Sequence, residues 1–297
     1  MKAVIYEKYG SPQVLEMREI VKPVPRENEV LIKVHATTVS AGDWRLRKAD
    51  PFLARLFNGL WRPKRVNILG FELAGVVEAV GKNVQDYKAG DAVFASCGLR
   101  FGAYAEYTCL PVNELIAIKP ANMSFEEAAT VPVGGLTALR FLKEAGVKAG
   151  SKVMIYGSSG SVGTFALQIA KACGADVTAV CSTANSALVK MLGADRVIDY
   201  TSEELGKYGA GYDIVLDAVG KISKANAKAL IKPGGRYVTV RSQPKAKYGN
   251  LQELKELIEA GKLMTVIDRR YPLEHIRDAH AYVESFRKKG NVVLNVV

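Results

Sequence analysis

The stretch "IYGSSGSVG", residues 155 to 163, has the residue types and spacing best suited to chemistry: small residues that let backbone approach a charged ligand. It stands between an apolar run, "KVMIY", and a segment in which Val162, Phe165, Ala166, Ile169, Ala170 and Cys173 recur at helical spacing. A serine-glycine linker would not sit inside such a strand-loop-helix-strand unit, so the loop reads as a phosphate cradle. Gly160 lets backbone come up to a pyrophosphate, and Gly163 lets the helix lie close on its strand. The helix start adds unpaired N–H groups and roughly half a positive charge. Ser158 replaces the first glycine of the dinucleotide fingerprint, while Ser158, Ser159 and Ser161 add hydroxyl donors. A P-loop is excluded because Thr164, not Lys, follows Gly163, and a nucleophile elbow on Ser159 is excluded because Ser161 stands where glycine is required. The motif points to a dinucleotide.

The end of the second strand, "VCSTANS", speaks to which one. An acidic residue there holds the ribose hydroxyls of NAD and repels the extra phosphate of NADP. Cys181, Ser182, Thr183, Ala184 and Asn185 include no carboxylate, and Ser182, Thr183 and Asn185 can donate hydrogen bonds. No Arg or Lys stands in the stretch, so a charge-assisted contact, worth roughly 1.5–3 kcal/mol, falls to Lys190 or Arg241. The expectation is NADP, with NADPH preferred over NADH; the alternative is loop side chains satisfying their own backbone.

Elements must position these residues. Up to about Lys119 the chain reads as short strands split by turn residues ("KAVIYE", "EVLIKVHA", "LAGVVEAVG", "GDAVFAS", "GAYAEYTCL"), a barrel or sandwich pattern. After "KPANMSFEEAATVP", where Ser124 caps a short helix ahead of Glu126 and Glu127, longer strands and helices alternate. "KVMIY", "DVTAV", "RVID", "DIVLD" and, after a Pro233-Gly234-Gly235 turn, "RYVTV" form a doubly wound parallel sheet with helices near 187–192 and 226–231. "LQELKELIEA" adds a helix, and "VID", "LEHIRDAHAYVESF" and "NVVLNVV" return to the first domain. The expected domains are 1–122 with 263–297, and 123–262.

The 297 residues, 48% hydrophobic and 24% charged, suffice for a sizeable core, and neither a span nor a signal peptide is read from the sequence, so the expectation is a soluble cytoplasmic protein. Cys97, Cys109, Cys173 and Cys181 show no paired spacing, which fits free thiols in a reducing compartment. The net charge of +11 is spread along the chain and reads as solvated surface rather than a nucleic-acid footprint.

The segments "GFELAGVVEAVGKNVQDYKAGDAVFA" (70–95), "FGAYAEY" (101–107), "VPVGGLTAL" (131–139), "GSSGSVGTFALQIAKACGADVTAVCST" (157–183), "LGADRVIDY" (192–200), "DAVG" (217–220) and "PGGRYVTV" (233–240) resemble the medium-chain dehydrogenase/reductase superfamily, and within it the zinc-free quinone oxidoreductase and enone reductase branch. The resemblance covers nearly the whole chain. It implies an α/β architecture, with a GroES-like barrel domain made of both chain ends, a Rossmann domain between them and an active site in the cleft. It also implies that Gly135, Thr137, Ala218, Val219 and Gly220 line the cofactor and that Tyr200 flanks its adenosine end. Zinc-binding members have a Cys where "SAGDWRLR" begins and a His where "GFE" has Phe71. His35, His275 and His280 lack metal spacing and read as barrel or surface residues.

A zinc-free site suits quinones and α,β-unsaturated carbonyls, which take hydride to give a delocalised oxyanion that hydrogen-bond donors can meet. The branch's pattern N-x-x-D-x-x-x-R stands here as Ser40, Asp43 and Arg47, with Ser in place of Asn. The resemblance makes Ser40 a polar group near the substrate carbonyl, and Asp43 and Arg47 either an orienting pair or a salt bridge tying the barrel together. Other expected activities are an enoyl-thioester reductase and a non-catalytic NADPH-binding sensor or RNA-associated protein. "ADPFLARLFNGLWRPKR" (49–65) either overhangs the cleft and favours an apolar or aromatic ligand, or packs as an amphipathic helix. Relatives carry a further helix and strand where only "RSQPKAKYG" separates "RYVTV" from "NLQELKEL". The last Rossmann edge is thus expected to be truncated or hidden in a disordered loop, which leaves a homodimer in doubt.

Overall fold

The alternating pattern of "EVLIKVHATT" and the glycine-broken apolar run "ELAGVVEAV" build the two longest strands of the first unit. In a computed structural model, which describes residues 1–112, 115–242 and 250–297, the chain divides into two compact units, Met1–Val133 with Ile267–Val297, and Gly134–Val266. The first contains β1 (Lys2–Ile5), β2 (Glu16–Glu19), β3 (Glu29–Thr38), α1 (Ala41–Lys48), α2 (Ala54–Asn58), β4 (Glu72–Val80), β5 (Ala92–Ser96), β6 (Tyr107–Pro111), β7 (Ile116–Ile118) and α3 (Phe125–Ala129). The chain then runs through α4 (Val131–Ala145), β8 (Lys152–Tyr156), α5 (Ser161–Ala172), β9 (Asp176–Cys181), α6 (Ser186–Met191), β10 (Arg196–Asp199), β11 (Tyr212–Asp217), α7 (Lys224–Leu230), β12 (Ile231–Thr239) and α8 (Leu251–Glu259). It returns with β13 (Ile267–Pro272), α9 (Ile276–Glu284) and β14 (Asn291–Asn295).

Seven strands form the barrel sheet in the order β13-β14-β3-β4-β5-β7, with β6 also on β3, while β1 and β2 pair separately. β14 runs antiparallel to β3 and joins the chain's end to its beginning. Val30, Ile32, Val34, Leu73, Val77 and Val93 are buried in one core cluster, and Tyr6, Trp44, Leu69, Tyr104, Ile276 and Val283 in another that α1 and α9 cover. The five-stranded sheet of the second unit is parallel, in the order β10-β9-β8-β11-β12, so the order in which the chain adds strands reverses at β8.

The division between units falls later than the expected limits near residues 122 and 262. Ser124 and Glu127 close a capping box on α3, and that helix packs on β3 and β4, so it belongs to the barrel. Met264 exchanges two hydrogen bonds with Gln168 of α5, at 2.8 and 2.9 Å, and belongs to the second unit. The Pro233-Gly234-Gly235 segment is not a turn ahead of a strand; it lies within β12 as an irregularity, the pairing with β11 jumping from Ile231 to Arg236. Among the described residues no further strand follows β12 in this sheet. Residues 243–249, where the question of a hidden loop falls, lie outside the described residues. Among the described residues no helix is long and apolar enough to cross a membrane.

Candidate functional site

β8 delivers the phosphate loop. Gly157 has φ +76°, which a side chain would strain, and its N–H and that of Ser158 donate to Val180 O of β9 at 3.0 and 3.1 Å. Gly160 caps α5 in extended conformation without a side-chain bond, so no capping side chain covers the start of that helix. A Cβ on Gly163 would lie 2.1 Å from Gly157 O and 2.7 Å from Ser158 Cα, so only glycine lets helix and loop close on each other. Around Gly160 the nearest atom to a Cβ would be 3.5 Å away, which leaves room for a pyrophosphate to approach. The residues fit the cofactor that the sequence implies. Val162 is half-buried in the first turn of α5.

Ser158 differs from its expected part. It is fully buried and its hydroxyl donates to Val180 O at 3.1 Å, so it ties the loop to β9 instead of facing a phosphate. Ser159 remains half-buried at the loop tip, where it accepts from Asn185 Nδ2 at 3.0 Å; the same amide reaches Ser182 Oγ at 3.3 Å. Ser161 lies beside Gly134 of α4, where a Cβ would come within 2.6 Å of its Oγ. Gly135 and Thr137 follow in the same helix.

The neighbouring strand ends complete the edge. Thr183 is exposed after β9 and donates to Asp199 Oδ2 at the end of β10. Tyr200 follows, half exposed, with its ring 6.0 Å from that of Tyr156. Beyond β11 the buried Asp217 accepts from Val219 N at 3.1 Å, Gly220 N at 2.7 Å and Ile222 N at 2.8 Å, which fixes the turn that carries Ala218, Val219 and Gly220. The Arg241 side chain lies against Gly220, 2.7 Å from where a Cβ would stand. Asp199 and Asp217 were not singled out in the sequence. For Asp217 the signal was present, an acid directly ahead of a glycine turn, where Asp commonly binds backbone two residues on.

Ser40, Asp43 and Arg47 lie in the first unit, on α1. Ser40 caps the helix, donating to Asp43 Oδ2 at 2.6 Å and accepting from Asp43 N at 3.3 Å, while its own N–H donates to Asp43 Oδ2 at 2.8 Å. Gly70 N donates to Oδ1 at 2.8 Å, and the Tyr104 hydroxyl adds a further bond. Burial pushes the Asp43 carboxyl up to about 6 in spite of these donors. The expected Asp43–Arg47 pair does not form. Asp43 turns back to close the capping box, and the buried Arg47 runs the other way, to Gly10 O at 3.1 Å and Glu284 Oε2 of α9 at 2.7 Å.

Phe71 occupies the place of the superfamily's zinc-ligating histidine. Its ring packs over Gly42, where a Cβ would come within 2.2 Å, and its centroid lies 4.0 Å from that of Phe101. Among the described residues no three His, Cys, Asp or Glu side chains converge to hold a metal, so the donor set does not fit zinc. His35 stacks on Phe125, His275 sits beside Asp278, and the buried His280 meets the Tyr104 ring edge-on. Next to Phe71, Glu72 is buried; its carboxylate accepts from Thr38 Oγ1 at 2.5 Å and Val133 N at 2.6 Å, and burial pushes it up to about 7. In the 49–65 stretch, Ala54 and Phe57 pack on the barrel core, while Phe52, Leu53, Leu56, Leu60 and Trp61 are exposed.

The model of the alcohol dehydrogenase GroES-like domain matches residues 26–120, and two zinc-binding dehydrogenase models match residues 161–267 and 242–294. The chain is 35% identical over 315 aligned positions to the NADPH-dependent alkenal/one oxidoreductase, chloroplastic, of Arabidopsis thaliana, covering 99% of this chain and 79% of that protein. It is 35% identical to 2-methylene-furan-3-one reductase of Solanum lycopersicum, covering 100% and 79%. Among solved structures, the quinone oxidoreductase from Coxiella burnetii superposes with a TM-score of 0.88 at 31% identity, covering 100% of this chain and 99% of that one.

Proposed function

The chain belongs to the medium-chain dehydrogenase/reductase superfamily, in its quinone oxidoreductase and enone reductase branch, and on that footing we propose how its own residues serve the reaction. It is an NADPH-dependent reductase of quinones or α,β-unsaturated carbonyls. The observation that carries this is the strand edge at which Gly160, the start of α5, Ser159 and the Asp217-fixed turn converge where the strand order of a doubly wound sheet reverses. NADPH, when bound, supplies a hydride to the electron-poor carbon of the acceptor, whose oxygen becomes an enolate or phenolate and is then protonated from water.

The start of α5 and the backbone at Gly160 hold the pyrophosphate; Ser159, Asn185 and Ser182 form a bonded bridge from the loop to the end of β9. Ser40 is the group that meets the acceptor's oxygen, being the half-buried member of its trio. Asp43 positions it. The ionised Asp43 carboxylate accepts from the Ser40 hydroxyl. With a carboxyl pushed up to about 6, Asp43 takes a proton as the pH falls below that value, and in that form it donates a hydrogen bond to Ser40 Oγ and leaves the Ser40 hydroxyl free to donate to the developing oxyanion. Arg47 holds α1 to α9 through Glu284. The acceptor is a small apolar or aromatic compound, and a cytoplasmic location suits the four free cysteines.

The test is the rate of NADPH oxidation by the purified protein, with and without an ortho-quinone and a short enone. Acceptor-dependent oxidation is the expected result. An NADPH-binding protein that consumes no cofactor with either acceptor would overturn the assignment.

A further inference from the structure

The absence of an acid from "VCSTANS" leaves the ribose end of the cofactor site without the carboxylate that normally opposes a 2′-phosphate. The fold supplies one from the next strand. β10 runs parallel to β9 with Asp199 in register with Cys181, so the last residue of β10 lies beside the end of β9. Thr183, about twenty residues beyond the last fingerprint glycine and thus at the position that usually bears the acid, donates its hydroxyl to Asp199 Oδ2. Asp199 Oδ1 accepts from Thr201 N at 2.9 Å and Thr201 Oγ1 at 2.6 Å. These donors are hydroxyls and an amide; they hold the carboxyl below its usual range without neutralising its charge. The Thr183 side chain is exposed, and Asn185 links the same loop end to Ser159 of the phosphate loop.

We propose that Asp199 is a specificity-determining residue for the cofactor, placed by Thr183 where the adenosine ribose carries its 2′ group. The inference rests on the dinucleotide site described above. A 2′-hydroxyl there donates to the carboxylate or to Thr183; a 2′-phosphate faces a fixed negative charge. Asp199 therefore limits the preference for NADPH and keeps NADH usable, through a residue outside the strand end that ordinarily makes this choice.

The test is direct titration of the full chain with NADPH and with NADH, followed by cofactor fluorescence, for the unaltered protein, Asp199→Asn and Thr183→Val. Asn keeps one acceptor oxygen, enough for Thr201, and turns its NH2 toward the Thr183 oxygen, which can accept from it, while the charge is removed. D199N is therefore expected to raise the ratio of NADPH to NADH affinity by about tenfold, and by less at high salt. T183V keeps the charge and is expected to leave NADPH no tighter. A ratio within twofold of the unaltered protein in D199N, with its thermal melt unchanged, would overturn the inference and leave the dinucleotide site standing. An unaltered chain that binds neither cofactor would instead overturn the site itself.

Discussion

The cofactor edge of the second unit and the α1 region of the first place polar groups by opposite means. At the cofactor edge the groups that shape the site are mostly backbone: the glycine-capped first turn of α5, the Gly160 approach and the turn that Asp217 pins. Around α1 the polar groups are ionisable side chains, and three of them, Asp43, Arg47 and Glu72, are almost wholly buried with protein partners. A backbone site is sensitive to added volume and indifferent to charge. A site of buried charges responds to the loss of any partner and to pH.

The largest effect is expected where the first region is most crowded. Gly163→Ala puts a Cβ 2.1 Å from Gly157 O, a contact with backbone that no rotamer relieves. The helix start must move off the loop. The expected outcome is NADPH affinity weakened by roughly 100-fold, together with a loss of about 2–3 kcal/mol in stability, read by fluorescence titration and denaturant unfolding. Near-normal affinity in G163A would show that the cofactor does not depend on that close approach.

This difference also decides what could be read in advance. Gly160, Gly163 and the Ser124–Glu127 capping box are local, set by neighbours within a turn or two, and their spacing is enough to recognise them. Arg47 and Glu284 are separated by 237 positions, and nothing in "SAGDWRLR" says that the guanidinium will turn from Asp43 to α9. Thr183 and Asp199 lie on different strands and meet only through the register of β9 and β10. Ser158 fails differently: a serine in a glycine loop looks the same whether its hydroxyl faces a ligand or, as here, a buried carbonyl. β2, whose residues "EMRE" are all exposed, and the three-residue β7 carry too few alternating apolar positions to stand out.

Glu284→Gln sharpens the contrast from the other side. Arg47 is buried, its side chain 0% exposed, and in this variant loses the only anionic partner it has among the described residues. Leaving such a charge uncompensated costs about 3–5 kcal/mol, of which the neutral amide recovers part through hydrogen bonding. The expected outcome is a loss of about 2–3 kcal/mol in denaturant unfolding with NADPH affinity unchanged. A variant of unaltered stability whose turnover collapses would instead give Arg47 a direct part in the reaction.

The smallest effect, and the one most particular to buried charge, is a pH dependence at Glu72. Burial raises this carboxyl from its ordinary 4.5 to about 7; Asp43 pushes in the same direction, while Thr38, Val133 N and Lys288 oppose it. Because the folded state holds the proton more tightly than the unfolded chain, the stability tied to Glu72 is fully present below pH 4.5 and is lost as pH rises through 7. Lys288 has the opposite sign. Burial lowers it from 10.5 to about 8, so the stability tied to it is present above 10.5 and lost as pH falls through 8. The two slopes overlap, and the raw stability curve mixes them. Glu72→Gln separates them, since the amide does not titrate. The stability of the wild type relative to E72Q is expected to fall by on the order of 2 kcal/mol between pH 5 and pH 8, whatever constant offset the lost acceptor introduces. Parallel stability curves for the two proteins over that range would mean that Glu72 stays ionised when buried, and that its hydrogen bonds, not its desolvation, set its charge.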